Sequence, residues 1–300
     1  QFDYKREDLN SFYDKVNISG SLKNSTIDLD EINFIYNEFG TNQIVQLNTT
    51  FSGTLNNLKF DEFNMKTTEN SFIIGNFRTT DLFKSSSTDF YFNGEFEKIS
   101  STYEELTALM PRVLGNTVPS EFKSLGRFDM NGNIEISKQF VKTAMDISTE
   151  IGSMFIDLDL INIEAIDNAL YDGQIRFRDF NLGKALGEPT IGLVSSNLSV
   201  IGSGFSKENL SCNIYGSFDA FTFQNYLYSD LEVTGIVMDK VFNGLIAEQQ
   251  QSCISIDCLI KTDQLTYLDH SFLAFGRKRD LRVNTPKAAS NRFDQGLVKL

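Results

Sequence analysis

The sequence predicts an all-β protein, an elongated, twisted and curved antiparallel sheet (a β-groove) built from repeats of about 40 residues, with a short helical insertion near residues 101–125. Three observations carry this reading. Apolar and polar residues alternate with period two through most of the chain, as in strands with one covered and one wet face, because successive strand side chains point to opposite sides. A glycine-centred motif returns at near-constant spacing. Helical periodicity is confined to one main stretch.

The alternation is clear in several segments. Phe128, Met130, Ile134 and Ile136 share one face of their strand, while Arg127, Asp129, Asn131, Asn133 and Glu135 fill the other. Ile156, Leu158 and Leu160 alternate with Asp157 and Asp159. The pattern recurs at Val45, Leu47 and Phe51, at Phe90 and Phe92, at Ile175 and Phe177, at Leu198 and Val200, at Phe221 and Phe223, and at Ile254 and Ile256. Together these residues are the candidate lining of one apolar face.

In the helical stretch, Ser101 or Thr102 can cap, Glu104 and Glu105 suit a first turn, and Leu106, Leu109 and Met110 form a narrow apolar stripe that Pro111 ends. Pro119 starts a second short turn with Ser120 and Glu121 behind it. Leu182–Leu186, bounded by Gly183 and Gly187, fits one helical turn or a loop.

The glycine motif places an apolar residue two positions to either side of Gly53, Gly94, Gly132, Gly173 and Gly216, spaced at intervals of 41, 38, 41 and 43 residues. Glycine inside a strand marks a bulge, a bend or a close backbone approach. The spacing reads as one unit of about 40 residues holding about three strands. Roughly 20 strands at about 4.8 Å each would make a sheet on the order of 90 Å long. The repeating body runs over 1–275, and 276–300, with Arg277-Lys278-Arg279, is unassigned.

Composition bounds the function. With 27 Lys+Arg against 40 Asp+Glu, the net charge of −13 argues against a nucleic-acid partner, which needs clustered cations. The chain is 41% hydrophobic with 27 Phe, too apolar for disorder. No run approaches the ~20 apolar residues of a spanning helix, so the fragment reads as soluble. Cys212, Cys253 and Cys258 match no zinc spacing, and with the lone His270 they point to no metal and no cofactor. Asp28, Asp30 and Glu31, like Asp157 and Asp159, read as solvated outer-face carboxylates rather than a catalytic pair. No enzymatic constellation emerges, and the chain is read as a non-enzyme.

An apolar sheet face must be covered, because each Å² left wet forgoes about 25 cal/mol. A second sheet, closure into a barrel, or a trough filled by an apolar ligand would each do so, and alternation alone does not choose among them.

Tyr103-Glu104-Glu105-Leu106-Thr107-Ala108-Leu109-Met110-Pro111, Val118-Pro119, and Leu125-Gly126-Arg127-Phe128 running on to Ile134 together resemble a recurrent passage of the TamB family of translocation and assembly module proteins. The segment from Ile147 to Leu158 is similar to the strand pair that comes after it in that family. Phe177 to Gly187 resembles the family's Phe-x-Leu-Gly-x-x-Leu-Gly element, and Asn225 to Gly235 with Phe242-Asn243-Gly244-Leu245 is similar to the form found in Bacteroidota. The likeness covers roughly residues 16–262 and lies in the order and spacing of these pieces.

The resemblance implies an AsmA-like repeating β-groove whose lining holds phospholipid acyl chains between two membranes. It further implies a periplasmic location, an inner-membrane anchor outside this fragment, and an outer-membrane β-barrel partner of the assembly-factor type. Three functions are expected on this basis. The first is a lipid conduit acting by hydrophobic shielding. The second is assistance to outer-membrane protein assembly through exposed sheet edges. The third is an all-β structural or surface module with a dry core and no ligand.

Overall fold

Strands succeed one another across the sheet in chain order in the computed structural model, which describes residues 1–34, 38–81, 90–111, 120–165, 168–204, 209–238, 241–248, 257–261 and 298–299. They are β1 (Phe2–Asp3), β2 (Asn17–Asp28), β3 (Ile44–Thr54), β4 (Asn57–Thr67), β5 (Phe72–Thr80), β6 (Tyr91–Ser101), β7 (Phe128–Ser137), β8 (Phe140–Thr149), β9 (Gly152–Ile161), β10 (Leu170–Asn181), β11 (Ile191–Ser203), β12 (Ser211–Phe223), β13 (Tyr226–Met238), β14 (Val241–Glu248), β15 (Asp257–Lys261) and β16 (Val298–Lys299). From β2 to β15 the sheet is antiparallel and open, and the two-residue β16 adds a parallel contact to β15. Among the described residues four short α-helices interrupt it, α1 (Phe12–Lys15), α2 (Leu29–Ile32), α3 (Tyr103–Leu109) and α4 (Leu182–Leu186), with 3-10 turns at Arg6–Ser11 and Ser120–Leu125. The chain divides into two compact units, Gln1–Ile156 and Asp157–Leu300, with the boundary inside β9.

In the first unit the ladder aligns apolar residues into rows that cross the strands. Leu47, Met65, Ile73, Ile99, Met130 and Ile147 are successive register partners from β3 to β8. Phe51, Phe60, Phe77, Gly94 and Ile134 form a second row. The opposite face carries Gln46, Lys59, Arg78, Glu95 and Asn131. The second unit repeats the arrangement, with Tyr171, Gly202, Cys212 and Val237 in one row and Ile175, Leu198, Gly216 and Val233 in another.

Bulges keep these rows in phase. Asn24 in β2, Glu62 in β4 and Asp179 in β10 have positive φ of 47°, 52° and 48° at points where the register shifts. Each freed backbone N–H is captured by a side chain of the partner strand: Asn24 donates to Asn48 Oδ1 at 2.6 Å, Glu62 to Asn76 Oδ1 at 2.8 Å, and Asp179 to Ser195 Oγ at 2.9 Å. A bulged residue bends its strand and switches the face on which the residues beyond it fall. Phe60 and Phe63, three residues apart, therefore share the apolar face.

The helices expose the true repeat. Connections from an even to an odd strand alternate between a helix and a tight turn. Helices lie after β2, β6 and β10, and tight turns after β4, β8 and β12. The structural unit is thus four strands and one helical connection, not three strands in 40 residues. Gly53 and Gly132 are 132 − 53 = 79 residues apart and stand in β3 and β7; Gly94 and Gly173 are 173 − 94 = 79 apart and stand in β6 and β10. The 40-residue glycine spacing is half this period. Gly53, Gly94, Gly132 and Gly173 stand in the first and last strands of successive units, whereas Gly216 stands in β12, the second strand of its unit.

Candidate functional site

The apolar face of the first unit has a covered margin and an open middle. At the margin, α2 begins where the Asp28 carboxylate accepts the Asp30 N–H at 3.0 Å, which places Asp28 and Asp30 in a helix cap. α3 starts at Thr102, whose hydroxyl accepts the Glu105 N–H at 3.2 Å. These helices set Leu29 and Leu109, each 3% exposed, over Val45 and Met65, with Ile27, Leu47, Phe63, Ile73 and Met110 packed around them. Gly40 fits beneath α3 because a Cβ there would meet the Ala108 carbonyl, and its N–H donates to the Leu109 carbonyl at 2.9 Å.

A polar cluster locks α3 in place. The Glu105 carboxylate, on a side chain 15% exposed, accepts from Ser71 Oγ and from Arg127, each at 2.6 Å. Ser71 and the buried Ser101 lie 2.8 Å apart through their hydroxyls. An ion pair this sheltered is held by its added hydrogen bonds.

Beyond that margin the face is aromatic and half-buried. Phe60 stacks on Phe77 at 4.6 Å between ring centroids, Phe77 meets Phe63 at 4.9 Å and Phe92 at 5.6 Å, and Phe51 extends the row from Phe60 at 6.3 Å. Offset and tilted ring pairs of this kind are favourable beyond their buried area. Every described strand of the unit belongs to the one ladder, so none of them forms a second sheet over the row.

In the second unit one end of the face is fully buried at Phe180, Val194 and Phe223, the strand ends beside α4. The other end packs Tyr171, Val200 and Cys212 with Leu158, Leu160, Ile175, Ile214 and Val237. Burial, with the hydrogen bond to Cys212, pushes the Tyr171 hydroxyl far above its ordinary range, and burial also raises the Cys212 thiol. Phe177–Phe180 and Phe218–Phe221 continue the aromatic pairing at 5.0 and 5.4 Å.

The sequence-derived lining therefore divides. Phe51, Phe92, Met130, Ile134, Ile136, Ile156, Leu158, Leu160, Ile175, Phe177, Leu198 and Phe221 are half-buried, and Phe90 is half-buried just before β6. Val45, Phe128, Val200 and Phe223 are buried within protein, and Leu47 packs into the covered margin. Ile254, Ile256, His270 and Cys253 lie outside the described residues. Sequence reasoning missed Phe60, Phe63, Phe77 and Phe96; the bulge at Glu62 breaks the alternation between Phe60 and Phe63, whereas Phe77 and Phe96 alternate in phase with Ile73 and Phe92. The signal present was the density of Phe from residue 51 to 96.

Among the described residues no group of three or more His, Cys, Asp or Glu is placed to hold a metal, and no helix is long and apolar enough to cross a membrane. No family model, curated protein or solved structure matches this chain.

Proposed function

We propose that this chain is a segment of a TamB-type, AsmA-like lipid-transfer protein, whose apolar face holds phospholipid acyl chains on their way between the inner and outer membranes. The observation that carries the reading is the row Phe51–Phe60–Phe77–Phe92, half-buried on a sheet whose described strands all belong to one ladder. Each methylene kept from water contributes about 0.8 kcal/mol, so a run of such rings lowers the cost of moving an acyl chain without breaking any bond. The chain's residues act by shielding and no covalent step is required. The setting proposed is the periplasm, with anchoring and the outer-membrane partner supplied by parts beyond this sequence.

Purified protein subjected to native mass spectrometry and lipid extraction tests this. Phospholipid should co-purify, and a photo-crosslinking amino acid at Phe77 should label lipid while one at Asn76, on the opposite face, should not. Absence of lipid together with equal labelling at both positions would identify a dry structural module instead.

A further inference from the structure

The wet face of the second unit differs in kind from that of the first. In the first unit the register row Lys59, Arg78, Asn93, Glu135 and Lys142 is charged at every position but Asn93, as a solvated sheet surface usually is. In the second, the row Gln174, Ser199, Tyr215 and Thr234 carries no charge at all. A depression of about 360 Å³ lies on this face, lined by Gln174, Asn197, Ser199, Ser217, Glu232 and Thr234. Asn197, Ser217 and Glu232 belong to the next row, which begins at Arg176. Arg176 and Glu232 are each already engaged within the protein, whereas the side chains of Gln174, Asn197, Ser199, Ser217 and Thr234 make no hydrogen bond among the described residues.

Those five side chains are amides and hydroxyls, each able both to donate and to accept. A bare anion is matched by donors alone and a cation by acceptors alone, so this lining suits a ligand whose own groups do both, as hydroxyls do. Tyr215, 39% exposed, is the register partner of both Ser199 and Thr234, and its ring pairs with no other ring among the described residues. An aromatic on the wet face, where alternation calls for a polar side chain, offers a flat apolar platform beside the hydrogen-bonding groups. A pyranose has the same duality, with C–H groups on its faces and hydroxyls around its rim. Three strand intervals of ~4.8 Å set the ends of the row roughly 14 Å apart, and a sugar ring is about as wide as one interval.

We propose that this face binds an uncharged oligosaccharide laid across β10 to β13, with one pyranose stacked on Tyr215 and the adjoining rings hydrogen-bonded by Gln174, Asn197, Ser199, Ser217 and Thr234. The depression is open along the sheet, so it takes a stretch of a longer chain and does not enclose a single sugar. An uncharged ligand is specified because the two charged groups of the site are engaged with protein and the chain's net charge of −13 disfavours an acidic glycan. The proposal is independent of the acyl-chain function, which belongs to the opposite face of the sheet.

Calorimetric titration and saturation-transfer NMR on the whole chain with chitotetraose, cellotetraose and maltotetraose, and with N-acetylglucosamine and glucose, test the proposal. At least one tetrasaccharide should bind at least tenfold more tightly than its own sugar unit, with saturation reaching the ring C–H protons. Tyr215→Ala and Asn197→Ala, both at exposed positions, should melt as wild type and each lose at least fivefold in affinity. Tyr215→Phe keeps the platform and should bind within twofold of wild type, as should Arg78→Gln on the wet face of the first unit. No binding of any tetrasaccharide, equal binding of tetrasaccharide and single sugar, or unchanged affinity in either alanine variant would each overturn it. A chain that keeps co-purified phospholipid yet ignores all three tetrasaccharides refutes this site and leaves the acyl-chain function standing.

Discussion

Gly132 approaches Ala144 so closely that a β-carbon on it would stand 2.1 Å from the Ala144 carbonyl oxygen, and its φ of 139° is one that side-chain-bearing residues avoid. Gly53, Gly173 and Gly216 repeat this, each with a neighbouring carbonyl 2.0 to 2.1 Å from the missing atom. Gly94 does not: its β-carbon would meet the rings of Phe92 and Phe96, which can turn aside. Gly132→Ala should therefore cost at least about 2 kcal/mol in denaturant unfolding, through strained φ and displaced backbone. Gly187→Ala, at φ 69° in open space, should cost about 1 kcal/mol.

Breaking the α3 anchor should be expensive for a surface-adjacent pair. Arg127→Ala leaves the sheltered Glu105 carboxylate with Ser71 alone. A loss of about 1–3 kcal/mol is expected by chemical denaturation. The double variant Arg127→Ala/Glu105→Gln should recover part of it, since the stranded charge is gone.

The covered margin and the aromatic row should respond differently to truncation. Leu109→Ala opens a cavity over Val45 and Met65 and should lower stability by about 2–5 kcal/mol. Phe77→Ala removes a half-buried ring, so its stability loss should be smaller and its loss of co-purified phospholipid larger. Equal effects on both readouts at both positions would argue against a functional difference between margin and row.

Alkali should weaken the second unit. Tyr171 and Cys212 are both raised, chiefly by burial, and both are neutral when protonated. Their contribution is intact below the unfolded values, near 8.5 for Cys and 10 for Tyr, and declines as pH rises through the higher folded values. Thermal melts should hold steady through neutrality and fall above about pH 9. Tyr171→Phe should flatten the upper part of that decline, and Cys212 should resist thiol reagents at neutral pH.

Much of this architecture is legible in the residues. Phe128, Met130, Ile134 and Ile136 alternate without interruption and lie on one face of β7. Thr102, the two glutamates and Pro111 bracket α3 as capping chemistry requires, and Leu182–Leu186 forms a helix closed by Gly187 in the left-handed region. The bulges are not legible. Asn24, Glu62 and Asp179 share no residue type that demands positive φ, and what stabilises them is an amide or hydroxyl on another strand. A parity change decided by a cross-strand hydrogen bond leaves no local pattern, so alternation alone does not put Phe60 and Phe63 on one face. The hydrogen bonds that fix Asn56 are hidden for the same reason, since they join α1, the β3–β4 turn and the residue after β5.

The alternation of helical and tight connections limits how such a chain can lengthen. Copying one hairpin would place a helix where a tight turn belongs, and copying an odd number of strands would send it to the wrong border. Only a block of four strands restores the pattern intact. Relatives that differ in length should therefore do so in steps of about 79 residues, the interval between Gly53 and Gly132, a quantum of duplication written into strand parity.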